Sequence, residues 1–204
     1  MKVHLIDYVS KPLIVLSLIG YFLSKTNNAA SSLKKWIVLA LAFSWTGDVL
    51  LMFQQKDPLF FLLGLSSFLV AHLFYILFFH RVRVKEKIKG NVWLLLIVAV
   101  YYVALIAFLS PYLGDMKLPV RIYGIVISFM LMLALHMSFI KKGSAGNLMV
   151  TGAVLFIMSD SILAVNKFYQ PFGVAGLAIM LTYGMAQIFI VEGAARYITS
   201  DYKE

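Results

Sequence analysis

Residues 59–80 read LFFLLGLSSFLVAHLFYILFFH, an apolar run without a single Asp, Glu, Lys or Arg, bounded by Asp57-Pro58 before it and Arg81 after it. A bilayer core about 30 Å thick needs roughly 20 such residues in one helix, so the run predicts a transmembrane span. Similar runs stand at about 5–24, 33–53, 92–110, 119–140, 147–166 and 171–198. Between them lie recognisable breaks: the small polar stretch Lys25–Ser32, Gln54–Pro58, the basic stretch Arg81–Gly90, and Pro111, Pro119 and Pro171 near predicted helix ends. The expectation is an all-α, polytopic transmembrane helix bundle of about seven spans, forming a single domain over residues 1–204.

Composition agrees. Apolar residues make up 62% of the 204 and charged residues 13%, which leaves no room for a water-soluble domain beside the spans. Met1–Ser24 carries few charges and an apolar run but no small-residue cleavage site, and reads as a retained first helix. There is no cysteine, so disulfides, thiolate metal sites and a cysteine nucleophile are excluded.

The net charge of +9 could suggest nucleic acid. These cations, however, sit in short loops beside apolar spans, where membrane topology explains them without nucleic acid. With seven spans, alternate loops and ends divide the Lys and Arg residues into six on one side and twelve on the other. The positive-inside rule then places the N-terminus outside and the C-terminus in the cytoplasm, in the inner (plasma) membrane if the source is bacterial.

Two short segments echo one another: Gly47-Asp48-Val49-Leu50-Leu51 in helix 2 and Ser159-Asp160-Ser161-Ile162-Leu163 in helix 6. They lie four helices apart in the chain, an even offset, so the echo suggests a parallel internal repeat of helices 2–3 and 6–7. Asp48 and Asp160 stand at matching depth, about 8–9 Å from the ends of their helices. An ionisable group within a span is costly and faces the bundle interior, which makes a functional site the first hypothesis. Hydrogen bonding of the two acids purely for packing is the other. A carboxyl group removed from water favours its neutral form, more so beside a second carboxyl, so the pair can supply a proton donor and an acceptor. Acid-catalysed cleavage of an ether-type bond needs that combination and no metal.

Other polar groups in the spans are candidates of lower specificity. His72, three residues before Tyr75 on one helix face, can orient water or a phosphate, or simply bond a neighbouring carbonyl. Lys11, before Pro12, can meet a lipid phosphate or snorkel to the interface. Tyr183 and Gln187 share a face of helix 7 and suit either a polar pocket or interhelical bonding. Ser159, beside Asp160, joins the substrate-binding set. His4, His80 and His136 lie at span edges, and no spaced His cluster such as HExxH is present, so neither a metal nor another cofactor is expected.

Taken in order, several motifs resemble the YhhN family of multi-pass membrane proteins, which includes the lysoplasmalogenases. They are Lys11-Pro12-Leu13, Phe43-Ser44 with Gly47-Asp48-Val49-Leu50-Leu51-Met52, Gly64-Leu65 with Phe68, and His72 to Tyr75. Then come Tyr123, Gly152-Ala153, Phe156 with Ser159-Asp160-Ser161, Phe168, Tyr183 and Gln187. The family usually counts eight spans, against seven here, the difference falling before Lys11-Pro12. The resemblance implies a lysophospholipid substrate: hydrolysis of the vinyl ether bond of lysoplasmalogens, or of a related ether lysophospholipid, to a fatty aldehyde and a glycerophospho-alcohol. Asp48, Asp160 and His72 would be catalytic, and Lys11, Tyr75, Ser159, Tyr183 and Gln187 would bind substrate. A proton-coupled transporter of small molecules or lipids is the other class that uses buried carboxylates on a parallel repeat, and a non-catalytic lipid-binding scaffold is a third.

Overall fold

The run at 59–80 is the middle of a longer helix. The computed structural model describes the backbone of residues 2–141 and 144–201 and the side chains of residues 13–141 and 144–200. Its helices are α1 (Lys2–Lys25), α2 (Lys34–Met52), α3 (Pro58–Lys85), α4 (Val92–Leu109), α5 (Lys117–Leu135), α6 (Ala145–Ala164) and α7 (Ala175–Asp201). No strand occurs among the described residues. Six helical segments among those residues are long and apolar enough to cross a bilayer, corresponding to α2 to α7 with their short extensions. In α1, Leu13–Lys25 is a shorter apolar helix. The chain is therefore a multi-pass helical membrane bundle.

Helix α3 begins where the sequence says it should: the Asp57 carboxylate accepts from the Leu59 N–H at 2.8 Å, and Pro58 takes the first helical position. It ends later than expected. Arg81–Gly90 reads as a loop, but the helix continues to Lys85 because Arg, Val and Lys do not break a helix and cations suit its C-terminal dipole. Val82 is fully buried there, and the Arg81 guanidinium lies 5.2 Å from the centre of the Trp36 ring. Lys87, at φ 54°, closes the helix; its N–H reaches the Val84 carbonyl and that of Ile88 the Arg83 carbonyl, satisfying the last turn. Helix α7 likewise starts at Ala175 rather than at Pro171, because α6 passes first into a widened π turn, Val165–Tyr169.

Contacts between helices run in a closed order, α1–α2–α3–α5–α6–α7 and back to α1, with α4 attached outside α5. The tightest pairs are the hairpins α2–α3 and α6–α7, the two that carry the sequence echo. Small residues allow this. A Cβ on Gly47 would lie 2.6 Å from the Phe68 ring, and one on Gly152 would lie 2.7 Å from the Ala186 carbonyl oxygen and the Ile190 nitrogen. At one end of the bundle Glu192 of α7 accepts from Lys25 at 2.8 Å, from Arg196 at 2.6 Å and from the Tyr21 hydroxyl, tying α1 to α7. The opposite end contains the cavity described next.

Candidate active site

Asp48 on α2 and Asp160 on α6 line one cavity of about 270 Å³. Its floor and walls also include Phe61, Leu65 and Phe68 of α3, Tyr123 of α5, Ser159 of α6 and Tyr183 of α7. Gln54, Gln55 and Asn166 stand nearer its rim. Both carboxylates occupy helix faces turned into the ring of helices, as a charged group in an apolar span must be. Asp48 is buried and Asp160 half-buried.

Each acid is held by a tyrosine. The Tyr123 hydroxyl donates to Asp160 Oδ2 at 2.5 Å, and the Tyr183 hydroxyl donates to Asp48 Oδ2 at 2.8 Å. Behind Tyr183 the bonding continues across the ring: Gln187 Nε2 donates to the Tyr183 oxygen at 3.3 Å, and the Tyr75 hydroxyl donates to Gln187 Oε1 at 2.5 Å. Three donors in series thus end on Asp48, an arrangement in which each bond polarises the next.

Of the residues selected from sequence, the structure brings Asp48, Asp160, Ser159 and Tyr183 to the cavity. Tyr75 and Gln187, both fully buried, form the layer behind it. Ser159 donates to the Ile179 carbonyl at 3.1 Å and so also joins α6 to α7. His72 is fully buried and does not line the cavity; its Nδ1 meets the Phe68 carbonyl at 2.6 Å, which assigns the proton to that nitrogen. The ring packs edge-on against Tyr123 and Phe156, with centroids 5.4 Å and 4.7 Å away, and Nε2 has no hydrogen-bond partner among the described residues. Among the edge histidines, His136 is structural: it accepts from the Asn91 N–H at 3.1 Å. Lys11 and His4 lie outside the residues whose side chains are described.

Two residues, one lining the cavity and one beside it, escape a site reading of the sequence. Tyr123 enters that reading only as part of a family motif, since a tyrosine in an apolar run ordinarily needs no special account. Lys167 enters only as a loop charge. The π turn of Val165–Tyr169 carries it to the rim, where Nζ lies 3.4 Å from Gln54 Oε1 and 4.7 Å from the centre of the Phe61 ring. Such turns are common at functional sites, but the sequence carries no periodicity that marks one.

The sequence model of the YhhN family matches residues 6–194. A human protein named lysoplasmalogenase TMEM86B is 36% identical over 159 residues, covering 77% of this chain and 62% of its own. Its counterpart from Sus scrofa, of the same name, is 35% identical over 74% of this chain and 59% of its own. A Mycobacterium bovis protein named lysoplasmalogenase is 30% identical over 78% of this chain and 60% of its own. The match therefore spans about three fifths of the length of these relatives. No solved structure matches the chain.

Proposed function

The chain belongs to the YhhN family, and we propose that it is a membrane-embedded hydrolase that cleaves the vinyl ether bond of lysoplasmalogens by acid/base catalysis at Asp48 and Asp160. The observation that carries this reading is the pairing of two tyrosine-held carboxylates in one cavity of a membrane bundle whose relatives are named lysoplasmalogenases.

In the proposed reaction Asp160 gives its proton to the outer carbon of the vinyl ether. The double-bond electrons form the new C–H bond, leaving an oxocarbenium ion at the inner carbon and the ether oxygen. Asp48, at the end of its donor chain, is suited to hold negative charge and stabilises that cation. Water adds to the cationic carbon and returns a proton to Asp160. The hemiacetal then loses its glycerol oxygen, which takes up the hydroxyl proton, giving a fatty aldehyde and a glycerophospho-alcohol. One water is consumed and no proton is lost or gained overall.

Tyr123 and Tyr183 orient the two acids. We assign His72 to positioning, since its ring braces Tyr123 from behind. Tyr75 and Gln187 support Tyr183, and Lys167 with Lys11 supplies cations for the phosphate. With the N-terminus outside and the C-terminus in the cytoplasm, as the loop charges argue, the cavity opens toward the outer leaflet.

The test is aldehyde release from lysoplasmalogen by the purified protein in detergent, followed by mass spectrometry. Asp48→Asn and Asp160→Asn should each lose about a hundredfold or more, the scale of general acid–base catalysis, while keeping the thermal unfolding of the parent. Folded variants that release aldehyde at the parental rate would sink the mechanism. Substrate movement that requires sealed vesicles and a proton gradient, with no aldehyde formed, would identify a transporter.

A further inference from the structure

A second cavity shares the acid Asp160 in its wall with the first. It lies between α4, α5 and α6, is partly open, and is walled by Tyr102, Leu105, Ile106, Gly124 and Ile127 among others. Among the described residues the two cavities have only Tyr123 and Asp160 in common. Their walls differ in kind. The first has carboxylates, amides and tyrosine hydroxyls; the second is almost wholly apolar. Two of its polar groups are bonded to one another and to backbone, with the Tyr101 hydroxyl 2.5 Å from Ser161 Oγ and the Ser161 hydroxyl donating to the Ile157 carbonyl at 2.5 Å.

A molecule cleaved at Asp160 therefore has a polar space on one side of the reacting bond and an apolar one on the other. The proposed substrate has the same division, a glycerophospho head and a hydrocarbon chain joined at the vinyl ether. We infer that the chain passes Tyr123 and Asp160 into the cavity between α4, α5 and α6, and that Gly124 and Tyr102 set how well it is accepted. This rests on the proposed hydrolase reading and adds the path of the chain to it. The cavity measures about 40 Å³, room for the first few carbons, and the rest of the chain lies along the α4–α5 flank in the bilayer. Helix α4 suits that flank: of its residues only Val98 and Leu109 are buried. Gly124 packs closely on Tyr102 in the wall of this cavity, since a Cβ there would stand 3.0 Å from the Tyr102 ring, so a larger side chain would intrude.

Two measurements test this. In the first, hydrolysis of a long-chain lysoplasmalogen is compared with that of an analogue whose vinyl ether chain has only a few carbons. Gly124→Val should lower the long-to-short ratio of kcat/KM by about tenfold or more, the scale of a methylene-sized misfit in an apolar pocket. Adding Tyr102→Ala to that variant should restore the ratio. An unchanged ratio, with both substrates falling together, would overturn the inference. In the second, the parent protein is photolabelled with an alkyl ether lysophosphoethanolamine, which lacks the cleavable bond, carrying a diazirine near the start of its chain. Labels on α4 and α5 around Leu105–Ile106 and Gly124–Ile127 support the path. Labels on α2 or α7, or none that excess unlabelled lipid competes away, overturn it. A parent protein that labels on α4 and α5 but hydrolyses neither substrate would sink the hydrolase reading and leave the chain site standing.

Discussion

Asp48 and Asp160 are the same residue type at the same depth, yet their surroundings suit them to different parts of the proposed reaction. Asp48 ends a chain of three donors drawn from α3 and α7, whereas Asp160 has Tyr123 and lines both cavities. A proton donor must reach the substrate, and an anion that steadies a cation must be held still; the two positions fit those needs in that order. Removing one hydrogen bond to a charged group costs about 1.5–3 kcal/mol. Tyr123→Phe and Tyr183→Phe should therefore each lower kcat by roughly ten- to a hundredfold with KM little changed, measured as aldehyde release at saturating substrate. His72 makes the contrasting case. It faces aromatic rings and not the cavity, so His72→Phe should keep kcat within about tenfold of the parent, while a proton-relay role predicts a loss of roughly a hundredfold or more. A loss on that larger scale in folded protein would return His72 to the chemistry.

At the scale of the helices, site geometry depends on two hairpins packed at glycine. The Gly152 position leaves no room for a methyl group against the backbone of α7, and Gly173 has nothing within 4 Å of a Cβ. Gly152→Ala should destabilise by about 1–3 kcal/mol, the usual cost of overpacking, and lower the unfolding temperature in detergent; Gly173→Ala should leave it unchanged. The helices themselves are readable from sequence because a span must be apolar for its whole length. What hides is whatever leaves that pattern intact. The last turns of α3 are hidden because a charged segment can be helical as readily as it can be loop, and the π turn after α6 because one extra residue in a turn changes no composition. The carboxylates are conspicuous for the opposite reason, since an acid in an apolar run has a cost that demands an account. Tyr123 has none, so its place against Asp160 becomes visible only when α5 and α6 are brought together. The π turn nevertheless has a geometric consequence, putting Lys167 against Gln54 and Phe61, two residues of the cavity lining. Lys167→Met should raise KM for a phosphate-bearing substrate several-fold with kcat retained; an unchanged KM would remove Lys167 from headgroup binding.

For the molecule as a whole, the two ends of the bundle differ in charge and in chemistry. One end gathers Lys25, Lys34, Lys35, Arg81, Lys85 and Arg196, with a hollow of about 640 Å³ lined in part by His80, Arg81 and Lys85. The other end holds the acid-lined cavity and few cations. A bilayer reads such asymmetry during insertion, because Lys and Arg in short loops stay on the cytoplasmic side. In the proposed orientation the cavity mouth, where α2 ends and α7 begins, faces outward, and a lysolipid would reach it from the outer leaflet. The absence of cysteine from the sequence makes this directly measurable, since any introduced thiol is the only one in the chain. Asp115→Cys, in the turn between α4 and α5, should react in intact cells with a maleimide that cannot cross the membrane. Lys89→Cys, in the turn after α3, should react only once the membrane is opened. The reverse pattern would turn the bundle over and move the reaction to the cytoplasmic leaflet, with the site chemistry untouched. Labelling of both residues from outside would mean that α4 does not cross, contrary to the apolar length of Val92–Tyr112.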